Sequence, residues 1–170
     1  LPAELPGIGE FDHAIVHVGG ARPFFVDPTD PDVPAGELPV GDQGRRALVA
    51  GRGTRALVTT PESGPAQNRL RIVRELALAE TARCKASEER EARGLPAADL
   101  RHERRGIAPE KLREGDEGEA RQLLNAEGDV RTVATGLDAV AGPVTLRREA
   151  DRSGWAVTRE HEADAVVSPA

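Results

Sequence analysis

The sequence predicts an α+β protein dominated by antiparallel strands, and three observations carry that prediction. Two apolar alternating runs flank Gly19-Gly20 in the pattern of a hairpin. Two near-duplicate runs, 46–50 and 55–60, flank Gly51-Arg52-Gly53-Thr54 in the pattern of a second. From residue 70 onward, short alternating segments recur with room for only one or two short helices between them.

Composition limits what such a chain does. It has 170 residues, enough for one large domain or two small ones. Ile, Leu, Val and Phe together make up about 22% of it, just above the level at which chains cease to fold, so the core is expected to be thin and rich in Ala. A net charge of −6 and a pI near 5.3 argue against nucleic-acid binding, whose affinity comes mainly from a basic surface facing phosphates. No apolar run reaches the roughly 18–20 residues that span a bilayer, so no membrane insertion is expected of this chain. One Cys, Cys84, excludes an intrachain disulfide.

In chain order, residues 1–10 read as a Pro/Gly-rich entry loop, and the first hairpin follows. In a strand, His13, Ile15 and His17 share one face. A three-residue loop, Gly19 to Ala21, sets Val18 opposite Arg22 and His13 opposite Asp27, whereas a strict two-residue loop puts the last pair on opposite faces unless a bulge intervenes. Opposed side chains sit about 4.5–5.5 Å apart at Cβ, close enough for a carboxylate to accept from an imidazole N–H. Such a pair orients and charges a histidine, as the acid of a catalytic triad does. The plainer alternative is that Asp27-Pro28-Thr29 simply ends a strand, since Asp favours turns and the residue before Pro stays extended.

Here a resemblance enters. Phe11-Asp12-His13-Ala14-Ile15-Val16-His17-Val18, then Phe24-Phe25-Val26-Asp27-Pro28-Thr29, then Gly36-Glu37-Leu38-Pro39 and Gly44-Arg45-Arg46-Ala47-Leu48-Val49 resemble the C-terminal half of bacterial transglutaminase-like proteins. The likeness continues more loosely through Asn68, Leu76, Leu78, residues 94–101 and 142–146. It implies a papain-like Cys-His-Asp enzyme followed by a β-rich, sandwich-like domain, with His13 as catalytic His and Asp27 as catalytic Asp. It also implies a protein or peptide substrate, no cofactor or resident metal, and an exported or envelope location. The family's nucleophilic Cys precedes the His strand, and none of the twelve residues before His13 is Cys. With no Met anywhere, the chain is expected to be a fragment that begins inside a domain and is inactive alone. The alternative is a non-enzymatic binding or scaffold module of the envelope.

The expected organisation is a truncated core at 1–62, a linker at 63–69 marked by PESGPAQ, and a β-rich domain at 70–167. Segment 70–91 is ambiguous, with helix-favouring composition but alternating apolar positions, and the resemblance, which implies a β-hairpin here, assigns it as two strands turning near Ala79-Glu80-Thr81. A short helix is expected within 94–104. A second is expected to start at Asp116, with Glu119 completing a capping box and Gly128 past its end. Further strands are expected at 130–135, 144–149, 155–159 and 165–167, then a frayed tail at 168–170.

Other candidate chemistry is weaker. His13 and His17 lie about 13 Å apart along a strand, too far for one ion. Cys84 sits mid-strand as a small core residue rather than a nucleophile. His102 and His161 lie in charged, solvated runs, as do Glu88-Glu89 and the acids of 160–164. Gly51-Arg52-Gly53 lacks the third Gly, the Lys-Ser/Thr and the helix of a phosphate loop.

Overall fold

In the computed structural model, residues 8–165 are described, and the expectations for 1–7, 166–167 and the 168–170 tail lie outside them. The first part carries two small antiparallel pairs. Strand β1 (Val16–Val18) pairs with β2 (Phe24–Val26), and β3 (Arg46–Ala47) pairs with β4 (Val58–Thr59). The Pro-rich segment between β2 and β3 is irregular apart from a 3-10 turn at Val40–Asp42.

The second part is one five-stranded antiparallel sheet, in which β5 (Arg69–Ala77), β6 (Arg83–Arg93), β8 (Val144–Arg159) and β7 (Val130–Thr135) lie in that order, and β9 (Glu162–Ala165) extends the β8 edge. This corrects the sandwich-like expectation. Helix α1 (Leu95–Arg104), through Ala97 and Leu100, and Leu124 just past the end of α2 (Pro109–Leu123) pack on its buried face, so no second sheet is needed there. No helix among the described residues is long and apolar enough to cross a membrane.

The two strands expected from the resemblance form where helix propensity and alternation compete. Segment 70–91 forms β5 and β6, with Cys84, Ala86, Glu88 and Ala92 of β6 all buried on one face. The expected breaks were less accurate. Residues 144–149 and 155–159 belong to one strand, β8, carried past Ser153-Gly154 by register shifts against β6 near Cys84. Helix α2 begins at Pro109, seven residues before the expected Asp116, because Pro at the first helical position is itself a start signal. Asp116 and Glu119 instead sit inside the helix and bind Arg104 and Arg148. Asn125, with φ of 45°, takes the left-handed position that follows the helix. The carbonyls of Leu123 and Leu124 accept from Trp155 Nε1 (3.2 Å) and Ser153 Oγ (2.5 Å), which ties α2 to β8.

The core is thin, as the composition requires. One cluster joins Ala86, Leu124 and Ala150; another joins Ala92, Ala97 and Val144. Between them along β6 and β8 lies a buried ion cluster. Glu88, fully buried, accepts from Arg74 (2.6 Å), Arg90 (2.8 Å) and Arg148 (3.2 Å), and Arg148 also reaches Glu119 (2.6 Å).

Residues 63–69, expected as a linker, are hydrogen-bonded on both sides. Ser63 exchanges bonds with the Gln43 side chain, and Asn68 donates to Ser63 Oγ (2.9 Å) while accepting from the first amide of α1, Leu95 N–H (3.0 Å). Gly94, with φ of 64°, makes this approach possible, since a Cβ there would stand 2.6 Å from the Gln67 carbonyl oxygen. Buried Asp32 adds a second tie, pairing with Arg105 just past α1 and lying 3.6 Å from His102.

Candidate functional site

The candidate site is built on β1, β2 and the 3-10 turn at Val40–Asp42. Val16 faces Val26, His17 faces Phe25 and Val18 faces Phe24, so the loop runs from Gly19 to Pro23. The three-residue loop expected from Gly19 to Ala21 is therefore corrected to five. Pro23 has no N–H to give to the ladder, so pairing begins at Phe24, and Gly20 adopts a φ of 126° in the loop. The register moves by two residues, which preserves the face on which each side chain lies. Continuing it places Asp27 across from Ile15, with His13 its diagonal neighbour just outside the regular strand.

The contact forms across that diagonal. His13 Nε2 lies 3.1 Å from Asp27 Oδ2. The other oxygen, Asp27 Oδ1, accepts from Thr29 N–H (2.9 Å) and Thr29 O–H (2.7 Å). Asp27-Pro28-Thr29 thus ends the strand and also holds the carboxylate still, combining the two alternatives that the sequence leaves open.

The charges follow. The Asp27 hydrogen bond raises His13 above its ordinary value of 6.5; burial pulls against the rise, and the nearby charge of Asp42 adds to it. Burial pushes Asp27 up, but the Thr29 donors and His13 outweigh it and hold the carboxyl below its usual range. Each shift favours the charged form of its group, so Asp27 stabilises the imidazolium that forms when His13 takes up a proton. With Nε2 committed to Asp27, Nδ1 is the ring nitrogen without a bonded partner among the described residues.

Sequence reasoning missed Asp42. Its Oδ2 stands 3.7 Å from His13 Nε2, although the two residues are far apart in the chain. Thr60 puts it there, donating to the Asp42 carbonyl (2.5 Å) while accepting from Arg45 N–H (2.8 Å). Gln43 fixes the next residue through the Leu38 carbonyl (2.7 Å) and Ser63. Burial pushes the Asp42 carboxyl up; His13 pulls against that rise and Asp27 reinforces it. Only the contact of three separate segments reveals Asp42.

His13, Asp42 and Thr60 line an open cleft of about 1110 Å³ whose wall also includes Phe11, His17, Phe25 and Arg45, with Asp27 behind His13. His17 stacks on Phe25, with ring centroids 4.8 Å apart, and belongs to the wall rather than to the charged cluster. Cys84 is fully buried in the sheet, where its thiol meets the Ser153 carbonyl at 3.6 Å, and it does not line the cleft. Glu88 and Glu89 alternate across β6 and do not converge. His102 lies beside Asp32, and His161 occupies the exposed turn before β9. The structure thus brings together His13 and Asp27 of the residues singled out, and adds Asp42.

In comparison with known proteins, no family model, no curated protein and no solved structure matches this chain. The transglutaminase likeness therefore stands on the motif residues alone.

Proposed function

We propose that His13 and Asp27 are the proton-handling pair of a transglutaminase-like cysteine enzyme acting on amide bonds, with the attacking thiol supplied from outside this chain. The observation that carries the proposal is the 3.1 Å contact between His13 Nε2 and a carboxylate that is itself clamped by Thr29. Chemically, the pair matches what acyl transfer requires of its base. Nδ1 takes the thiol proton as the thiolate attacks the amide carbonyl, then returns it to the departing amine. Asp27 holds the ring and stabilises the imidazolium that forms in between. The open cleft gives a peptide segment access to Nδ1. An amine or a water molecule then resolves the acyl-enzyme.

Cys84, buried in the sheet, has no place in this scheme. The test is to express the chain together with whatever its gene encodes before Leu1 and to follow incorporation of a primary amine into a glutamine-containing protein, alongside peptide hydrolysis. Activity that survives Cys84→Ala and falls at least about 100-fold in His13→Ala supports the proposal. Absence of both reactions in the longer protein, or activity indifferent to His13→Ala, overturns it.

A further inference from the structure

Three sheltered carboxylates elsewhere in this protein have arginines beside them. Glu88 has Arg74, Arg90 and Arg148; Asp32 has Arg105; Asp116 has Arg104. Asp27 and Asp42 differ. Their side chains are only 6% and 16% exposed, yet among the described residues neither forms an ion pair with an arginine or lysine, and they share one imidazole between them. Two sheltered acids facing a single histidine leave negative charge unmatched, which is costly unless a cation joins them.

The spacing fits such a cation. One ligand atom from each of His13, Asp27 and Asp42 lies within 4.8 Å of the other two. Zinc bonds of about 2.0–2.2 Å in tetrahedral geometry place ligand atoms roughly 3.4 Å apart. The two distances from His13 Nε2, 3.1 Å to Asp27 Oδ2 and 3.7 Å to Asp42 Oδ2, fall on either side of that value.

We propose that His13 Nε2, Asp27 Oδ2 and Asp42 Oδ2 bind one divalent cation of the zinc class, with the fourth position open to the cleft. One imidazole and two carboxylates form a donor set that suits zinc. The supports that ligating side chains need are already present: Thr29 holds the second oxygen of Asp27, and Thr60 and Gln43 anchor the backbone of Asp42. Occupation uses the nitrogen that otherwise donates to Asp27, so the loaded and proton-transferring states of His13 exclude each other. The site needs no thiol and stands independently of acyl transfer.

The test uses the 170-residue chain, stripped with a chelator and titrated with ZnCl₂ in a calorimeter and with CoCl₂ by visible absorption. One-to-one binding is expected, with the intense visible bands of four-coordinate cobalt. Asp42→Asn, which keeps the side-chain shape, is expected to weaken binding at least about 10-fold, as is His13→Ala. His17→Ala in the same cleft binds as the parent does. Circular dichroism confirms that each variant is folded, and Asp42→Asn decides the matter if His13→Ala unfolds. Failure of the parent chain to bind one equivalent, binding unchanged by Asp42→Asn, or loss of binding in folded His17→Ala overturns the proposal. Acyl transfer is measured on the longer protein with no added metal, so either result stands without the other.

Discussion

The two parts of this protein shelter charge in opposite ways. In the sheet, Glu88 and Arg148 are buried among Arg74, Arg90 and Glu119, and each charge meets its complement. In the cleft, Asp27 and Asp42 converge on His13 alone, held by strands of two and three residues and by turns. Directly paired charge on the long strands does structural work in place of apolar residues that the chain lacks. Unbalanced charge at the edge of an open cleft is poised for chemistry, because the missing partner is whatever arrives there.

The strongest way to break this contrast is to unbalance the sheet. Arg148→Ala takes from fully buried Glu88 the one partner that is itself buried and is expected to cost about 3–5 kcal/mol in urea unfolding. Replacing both members, Glu88→Leu with Arg148→Met, is expected to recover most of that loss; a double variant as unstable as the single one would mean that the ions hold the sheet by more than mutual neutralisation. Asp32→Ala comes next, because it removes the buried acid that connects the cleft part to Arg105. A loss of about 1–3 kcal/mol is expected, with faster amide exchange around 30–43 and little change in β6 and β8.

The remaining tests sharpen the cleft. Asp27→Asn removes the chief cause of the raised His13 pKa, so an NMR titration is expected to show His13 falling towards 6.5. An unmoved His13 would deny that Asp27 charges it. The signs for stability follow from the same shifts. The folded state holds the His13 proton more tightly than the unfolded chain does, so that contribution is full below about 6.5 and fades as pH rises through the folded value. The Asp27 contribution is full above 3.8 and fades as pH falls through its lower folded value. The pair contributes most between those limits. The smallest effect belongs to Arg159→Ala, which removes an exposed ion pair with Glu162 at 3.8 Å and is expected to change stability by less than about 0.5 kcal/mol.

How much of this was legible depended on whether the deciding contact was local. Strand β7 follows directly from its alternation, whereas the β5–β6 hairpin, whose composition favours helix, came only with the resemblance. The His13–Asp27 contact was foreseeable because a shift of two residues in register keeps both on one face. The start of α2 was misplaced because Asp116 and Glu119 look like a cap while serving as partners for distant arginines. Asp42 gave no local signal, since its position depends on Thr60, Gln43 and Ser63. One sheet rather than two was equally hidden, because alternation shows that a strand has two faces without showing what covers each.

Strand β8 carries a consequence for the order in which the molecule assembles. It pairs with β6, β7 and β9, and its partner Glu88 lies 60 residues before Arg148 in the chain. The β5–β6 hairpin closes locally, but its inner edge has no neighbour until residues 144–159 have left the ribosome. Until then Glu88 lacks Arg148, and the Cys84 edge stands open to other chains. Loop closure over that distance is expected to make docking of β8 a late step of folding.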